Sequence, residues 1–416
     1  MEPGKLSEEG RGVFEVISEW GGFLQRQDNP FKVNILKNLA SRFATNLTYQ
    51  YRSIYITLLG ANPIVLGYIN SISGVANTLL SIPTGVFADR VGIKNVFLLT
   101  LSISILSALV FGAANSWEVA AIAFTLSAVA FTLDRTTCPL ICGSTLASDE
   151  RVTGMGICDT VSFFPQLIAP IIAAYLITAF GGMNARGIRP LYYLQIVGLV
   201  VAFVIILTKF ENPRARLAER RKTSVLSDLR SVLSEGTMAK RWILLTMLSA
   251  FSRQAMFYVP LFAAEFKGAD QFVIGGMSTA STVVLVFLAI PLGHLADTRG
   301  RKRVIAAGVL LVCASYVALV YAPNDVVLLL SGFLSGFTMT AGQSQMAIAA
   351  DLVPRKFLGS WYGILGFFRG LVGIVSPIIC GFVWDAISPS SVFFLLILMQ
   401  LSSLGVLYTV PTSITK

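Results

Sequence analysis

Gly85-Val86-Phe87-Ala88-Asp89-Arg90-Val91-Gly92-Ile93-Lys94 returns 208 positions later as Gly293-His294-Leu295-Ala296-Asp297-Thr298-Arg299-Gly300-Arg301-Lys302. Each copy closes a long apolar stretch with an Asp, a Gly and basic residues. In a chain of 416 residues that spacing is half the length, so the sequence reads as a duplicated unit. The duplication extends further: Phe131-Thr132-Leu133 matches Phe337-Thr338-Met339, and Pro170 matches Pro377.

The unit belongs in a membrane. The chain is 55% hydrophobic and 13% charged, with a mean hydropathy of +0.72, more apolar surface than a water-soluble domain can hide. Reading apolar runs against the roughly 20 residues needed to cross hydrocarbon gives twelve spans: 34–59, 64–86, 95–113, 118–146, 155–179 and 190–209, then 242–265, 272–294, 304–322, 326–349, 359–384 and 391–410. The expected fold is an all-α integral membrane protein of two pseudo-symmetric six-helix bundles. Its parts are a tail (1–30), a first bundle (31–209), a basic linker (210–241), a second bundle (242–411) and a short C-terminus (412–416).

Charge sets the expected sidedness. Basic residues gather in the connections after spans 2, 4, 6, 8 and 10, including Arg90, Lys94, Arg151, Arg214 to Arg241, Arg299 to Arg303, and Arg355 with Lys356; the other side has Arg186, Arg189 and Lys267. The positive-inside rule then predicts both termini and the linker in the cytoplasm, in a multi-pass protein of the cell inner (plasma) membrane. The linker, with Asn212-Pro213 as a breaker and Val225 to Leu233 as a candidate surface helix, reads as a soluble joint that anionic headgroups attract. Residues 1–30 lack the basic start and apolar run of a secretory signal; Phe14 to Phe23 read as either a short amphipathic surface helix or a tail.

The net charge of +10 does not suggest nucleic acid, because the basic residues punctuate apolar spans rather than forming one patch. The cysteines, Cys138, Cys142, Cys158, Cys313 and Cys380, all lie in apolar stretches with no metal-ligand spacing, and read as small packing residues. No metal or cofactor is expected. Membrane lipids and a small-molecule solute are the expected partners of a functional monomer.

With these residues in place, the sequence over 31–411 resembles the major facilitator superfamily. That family carries a Gly-x-x-x-Asp-Arg-x-Gly-basic-basic pattern between spans 2 and 3, repeated less faithfully between spans 8 and 9. The first copy here keeps Gly85, Asp89, Arg90, Gly92 and Lys94, with Ile93 at a usually basic position. The second keeps Gly293, Asp297, Gly300, Arg301 and Lys302, with Thr298 in place of Arg. Asp351-Leu352-Val353-Pro354-Arg355, and more loosely Asp149-Glu150-Arg151, also look like family features. The resemblance implies a secondary transporter whose halves rock about a central site, with these loops as gates. Asp89 would accept hydrogen bonds from a neighbouring helix start when that side is closed, Gly85 would permit close helix approach, and Gly92 would let the loop turn. A Gly/Pro-rich span 5 accompanies exporters in that family. Span 5 here has Pro165 and Pro170 with only Gly156 near its start, while span 11 runs from Gly363 through Gly373 to Pro377 and gains a small-residue face and a bend.

Polar residues inside the spans mark the candidate site. Asn38, Arg42, Asn46 and Tyr49-Gln50 share one stripe of span 1, which would be costly against lipid and therefore faces the interior. Span 4 carries Asp134-Arg135, span 5 Asp159, span 7 Arg253-Gln254 and span 11 Arg369. Arginine stays protonated and needs an anion, a polar network or water. Arg42 and Arg253 are the expected charge-selecting residues, because the resemblance implies that spans 1 and 7 line the cavity. Asn38, Asn46, Gln50 and Gln254 would orient the solute, and Tyr49, Tyr55, Phe163, Phe164, Phe257 and Tyr258 would shape the walls. The excess of Arg over Asp in the spans points to an anionic organic solute.

Two other readings stand beside this one. Proton-coupled drug or metabolite efflux would use Asp134 or Asp159, and Asp159, with no Arg or Lys within a helical turn inside the membrane, is the better proton carrier; a permanent pair with an Arg of another helix is its alternative. A receptor or scaffold that kept the bundle would not require both gating loops. Enzyme chemistry is not expected. His294 lies in a gating loop without a nucleophile or paired acid, and no GxxxxGK[ST] nucleotide loop occurs.

Overall fold

The computed structural model describes residues 26–146, 151–211, 237–352 and 358–410. The N-terminal tail, linker positions 212–236 and Asp149-Glu150 lie outside that set. So do the side chains of Gly85, Asp89, Arg90, Arg135, Asp159 and Asp297, and those of Cys138 and Cys142. The described residues are all-α and form a multi-span membrane protein, with nine helices long and apolar enough to cross a bilayer.

The first half comprises α1 (Asn29–Tyr49), α2 (Arg52–Leu58), α3 (Pro63–Val91), α4 (Ile93–Ala113), α5 (Trp117–Thr145), α6 (Arg151–Ala179) and α7 (Ala185–Lys209). The second comprises α8 (Thr237–Gln254), α9 (Tyr258–Lys267), α10 (Gln271–Val283), a π turn at Val284–Leu288, α11 (Ala289–Arg299), α12 (Arg301–Tyr321), α13 (Asp325–Ser335), α14 (Phe337–Asp351), α15 (Leu358–Ala386) and α16 (Pro389–Tyr408). Every apolar run read from the sequence is helical. Three of them, 34–59, 242–265 and 326–349, are broken into separate helices, and 272–294 passes through the π turn at Val284–Leu288.

Local chemistry sets the boundaries. Asn184, Asp270, Asn324 and Ser388 each sit in extended backbone and accept from the N–H three residues on, capping α7, α10, α13 and α16. The two copies of the repeat turn alike. Gly92 has φ 84° and Gly300 φ 99°, a region closed to most side chains, and a new helix begins at the next residue in each case. Then Lys94 donates from Nζ to the Leu207 carbonyl at 2.9 Å, and Lys302 donates to the Val410 carbonyl at 2.7 Å. Each repeat lysine thus caps the C-terminal end of the last helix of its own half, where carbonyls lack partners and the helix dipole is negative.

The interiors of the halves also correspond. Ser107 donates to the Ala123 carbonyl at 2.7 Å between α4 and α5; 208 positions on, Ser315 donates to Ser331 at 2.8 Å between α12 and α13. Cys158, Cys313 and Cys380 are buried, as the apolar setting of their stretches suggested.

The halves meet chiefly through α3 against α15 and α6 against α10. Small residues make this possible: a Cβ on Gly74 would lie 2.9 Å from the Gly373 carbonyl, and one on Gly275 2.7 Å from the Pro170 carbonyl. These contacts run from the end of the bundle that holds Pro63 and Gln271, the far end, towards its middle. Closer to the repeat end, where Gly92 and Gly300 turn, Gly366 and Gly363 have nothing within 4 Å. Gly293 likewise faces open space, so this glycine of the repeat supports no helix approach.

Candidate binding cavity

Two interruptions at related positions build the wall of a central cavity. After α1 the chain tightens to a three-residue turn, with the Tyr51 N–H on the Thr48 carbonyl at 3.1 Å. After α8 three bonds of this kind link Met256 to Arg253, Tyr258 to Ala255 and Val259 to Met256. The break after α1 contains no Pro or Gly and was not visible in the sequence, whereas Pro260, in the first turn of α9, has no N–H for the Met256 carbonyl and marks the break after α8. Both expose side chains that a continuous helix would aim elsewhere. The third break, at Gly336, follows from crowding: a Cβ there would collide with the Ser281 carbonyl of α10.

The cavity is about 380 Å³ and draws its lining from both halves. Among the described residues its charged lining residues are Arg52 at the start of α2 and Arg253 near the end of α8, with no carboxylate among the described lining residues. Gln50, Asn70, Gln166 and Gln254 supply amides, and Tyr49, Phe124, Phe163 and Phe257 supply rings. The mixture suits a solute with an anionic group and an apolar body.

Arg52 is held in place. It donates from Nη1 to Ser127 Oγ at 3.1 Å, and its guanidinium lies 5.6 Å from the Phe111 ring and 5.7 Å from the rings of Tyr49 and Phe124. Its Nε is buried and has no hydrogen-bond partner. Aromatic faces favour the cation without consuming its donors, which leaves N–H groups for a ligand oxygen. Arg253 packs close to α14, its Nη1 3.3 Å from where a Cβ on Gly342 would be.

The sequence-derived residues separate into two groups. Gln50, Arg253 and Gln254, with Tyr49, Phe163 and Phe257, line the cavity. Arg42 does not: it reaches Asp134 Oδ2 at 3.4 Å, in a network completed by Lys37, whose Nζ lies 2.6 Å from Asp134 Oδ1. Asn38 is buried and donates to Cys158 Sγ at 3.5 Å, while Asn46 bonds back to the Arg42 carbonyl of its own helix at 2.8 Å. Arg369 donates to Met346 Sδ at 2.8 Å, away from the cavity. Tyr55 is buried against Phe111 and Tyr192, and Phe164 is exposed. Arg135 and Asp159, like the gating side chains Asp89, Arg90 and Asp297, lie outside the described set.

Lys37 and Arg52 escaped the sequence reading. Lys37 stands one residue before the Asn38 stripe, and its signal was a lone lysine in an apolar run. Arg52 follows the break, where counting in helical steps from Arg42 no longer holds.

A match to the Major Facilitator Superfamily covers residues 38–275 and 242–414. The tetracycline resistance protein, class B, of Escherichia coli is 28% identical over 162 residues, covering 38% of this chain and 40% of that protein. A probable galactarate/D-glucarate transporter, GudP, of Bacillus subtilis (strain 168) is 20% identical over 365 residues, 79% of each chain. Among solved structures, that of the nucleoside transporter NupG aligns with a TM-score of 0.75 at 15% identity, covering 92% of this chain and 99% of that one, a likeness of fold. With the duplicated motif, the apolar helices and a cavity between two halves, these matches show that the chain belongs to the Major Facilitator Superfamily.

Proposed function

We propose that the protein is a secondary active transporter that moves a small organic anion across the membrane by alternating access, through twelve crossings in two six-helix halves, 31–209 and 242–411. The observation that carries the reading is the cavity between the halves, whose charged lining residues, among those described, are both arginines, one from each half. Arg52 and Arg253 bind the anionic group, the four amides orient the solute, and the rings hold its apolar body. An arginine from each half lets the solute draw the halves together, so binding and closure are coupled. The acidic solute named for the Bacillus subtilis relative agrees with this sign of charge.

The basic loops favour both termini and the 210–241 linker in the cytoplasm of a cell with this protein in its plasma membrane. In that orientation the packed end that holds Pro63 and Gln271 faces outward. Proton coupling through Asp134 is the less favoured reading, because Lys37 and Arg42 already engage that carboxylate.

The test is a thermal-shift screen of purified protein against monocarboxylates, dicarboxylates, neutral sugars, nucleosides and lipophilic cations, since a ligand that binds the folded state raises its melting temperature. Stabilisation by carboxylates that is lost in Arg52→Gln and in Arg253→Gln supports the proposal. Stabilisation by lipophilic cations, unchanged in both variants, refutes it.

A further inference from the structure

The Tyr51 hydroxyl lies 3.3 Å from the Pro170 carbonyl of its own half and 2.8 Å from the Gln271 carbonyl at the start of α10, across the interface. The Tyr258 hydroxyl lies 3.1 Å from the Pro377 carbonyl of its own half and 3.0 Å from the Pro63 carbonyl at the start of α3, also across the interface. The two sets are counterparts under the duplication, related by shifts of 207 or 208 positions in hydroxyl, own-half acceptor and cross-half acceptor alike. Both tyrosines are fully buried, and both hydroxyls sit where helices of opposite halves cross. Glycines make room for them: a Cβ on Gly275 would come within 3.0 Å of the Tyr51 hydroxyl, and one on Gly67 within 3.1 Å of the Tyr258 hydroxyl.

A phenol has one proton to donate. Faced with two carbonyls, it shares that proton or gives it to either one. We infer that Tyr51 and Tyr258 are paired release latches that hold the far end shut, each handing its proton from the cross-half carbonyl to the own-half proline carbonyl as that end opens. A single acceptor across the interface would leave a buried donor stranded on opening, at a cost that resists the movement. The second acceptor removes that penalty. The carbonyls of Gln271 and Pro63 lie in the first turns of α10 and α3 and retain a lone pair for their own helices, so they too tolerate release. The arrangement favours closure modestly and reversibly, as a transporter cycling between two states requires.

The inference rests on the alternating-access reading for its purpose, but its test needs no substrate. Hydrogen–deuterium exchange of the full-length protein is compared for wild type, Tyr51→Phe and Tyr258→Phe. Phe keeps the ring and removes only the hydroxyl. One ordinary hydrogen bond corresponds to about a fivefold change in the closed-to-open ratio, and the double variant to about 25-fold by simple multiplication. Tyr51→Phe should speed exchange several-fold in the first turns of α10, and Tyr258→Phe in those of α3, with the cluster around Phe31, Phe97 and Leu199 at the repeat end unchanged. Unchanged exchange in α3 and α10 would overturn the inference, as would equal acceleration throughout. Loss of folded protein in both variants would overturn it as well, because the hydroxyls would then support the fold rather than one of its states. If exchange shifts as expected while no carboxylate binds, the latches stand and the anion reading falls.

Discussion

Replacing Asp134 by leucine tests how the three charges between α1 and α5 share the work. Lys37 is 2% exposed with its Nζ 2.6 Å from Asp134, whereas Arg42 is 39% exposed and 3.4 Å away. A buried ammonium deprived of its counter-ion costs about 3–5 kcal/mol. The Phe97 face 4.5 Å from Nζ is present with or without Asp134 and does not change this figure. Asp134→Leu should therefore destabilise by about 3–5 kcal/mol. Arg42→Gln, which breaks a longer and solvated contact, should cost about 1 kcal/mol or less. Lys37→Met leaves Asp134 with Arg42 and should fall between them. The combination Lys37→Met with Asp134→Leu removes both buried charges and should lie within about 1 kcal/mol of wild type, since an apolar replacement of a buried pair is often neutral. Equilibrium unfolding in mixed micelles gives the four free energies and their coupling. Equal losses in Asp134→Leu and Arg42→Gln, or strictly additive single effects, would refute the burial argument.

Three further outcomes follow from the repeated motif. Gly92→Ala and Gly300→Ala should each lose about 1–3 kcal/mol through positive-φ strain, whereas Gly293→Ala, facing open space, should be neutral or slightly stabilising in the same unfolding assay. Asp89→Asn and Asp297→Asn should insert normally but turn over more slowly, with Asp89 the more severe because its loop retains Arg90; wild-type transport rates in Asp89→Asn would remove its gating role. A reporter fused after Thr415, or a protease site at Ser224, should be reached only from the cytoplasm, and labelling of either from outside intact cells would reverse the proposed orientation.

Much of the architecture was legible because it depends on patterns of residue type. Apolar runs located the helical stretches among the described residues, and the spacing of the motif disclosed the duplication that the serine pairs, glycine turns and lysine caps then displayed in atoms. Asn38 and Asn46 of the span 1 stripe are buried, but the stripe did not say what each member met. Arg42 belongs to the turn that faces α5 and Asp134, while Gln50, two turns on, reaches the cavity. The break after α1 was hidden because no Pro or Gly marks it, whereas Pro260 marks the break after α8 and the sequence reading missed it; at both breaks a tyrosine, Tyr51 or Tyr258, is held by carbonyls over 100 residues distant. Arg52 became a cavity residue through that break. No periodicity of a continuous helix could have assigned it.

The central claim is that Arg52 and Arg253 select an anion for transport, and the most direct measurement is uptake by reconstituted proteoliposomes of a carboxylate found in the binding screen. Charge-assisted hydrogen bonds of this kind contribute about 1.5–3 kcal/mol each, about 10- to 150-fold in binding. Arg52→Gln and Arg253→Gln should each raise the half-saturating concentration by at least about tenfold, while Arg42→Gln stays within about threefold of wild type. Saturable carboxylate uptake with the same half-saturating concentration in wild type, Arg52→Gln and Arg253→Gln would contradict it.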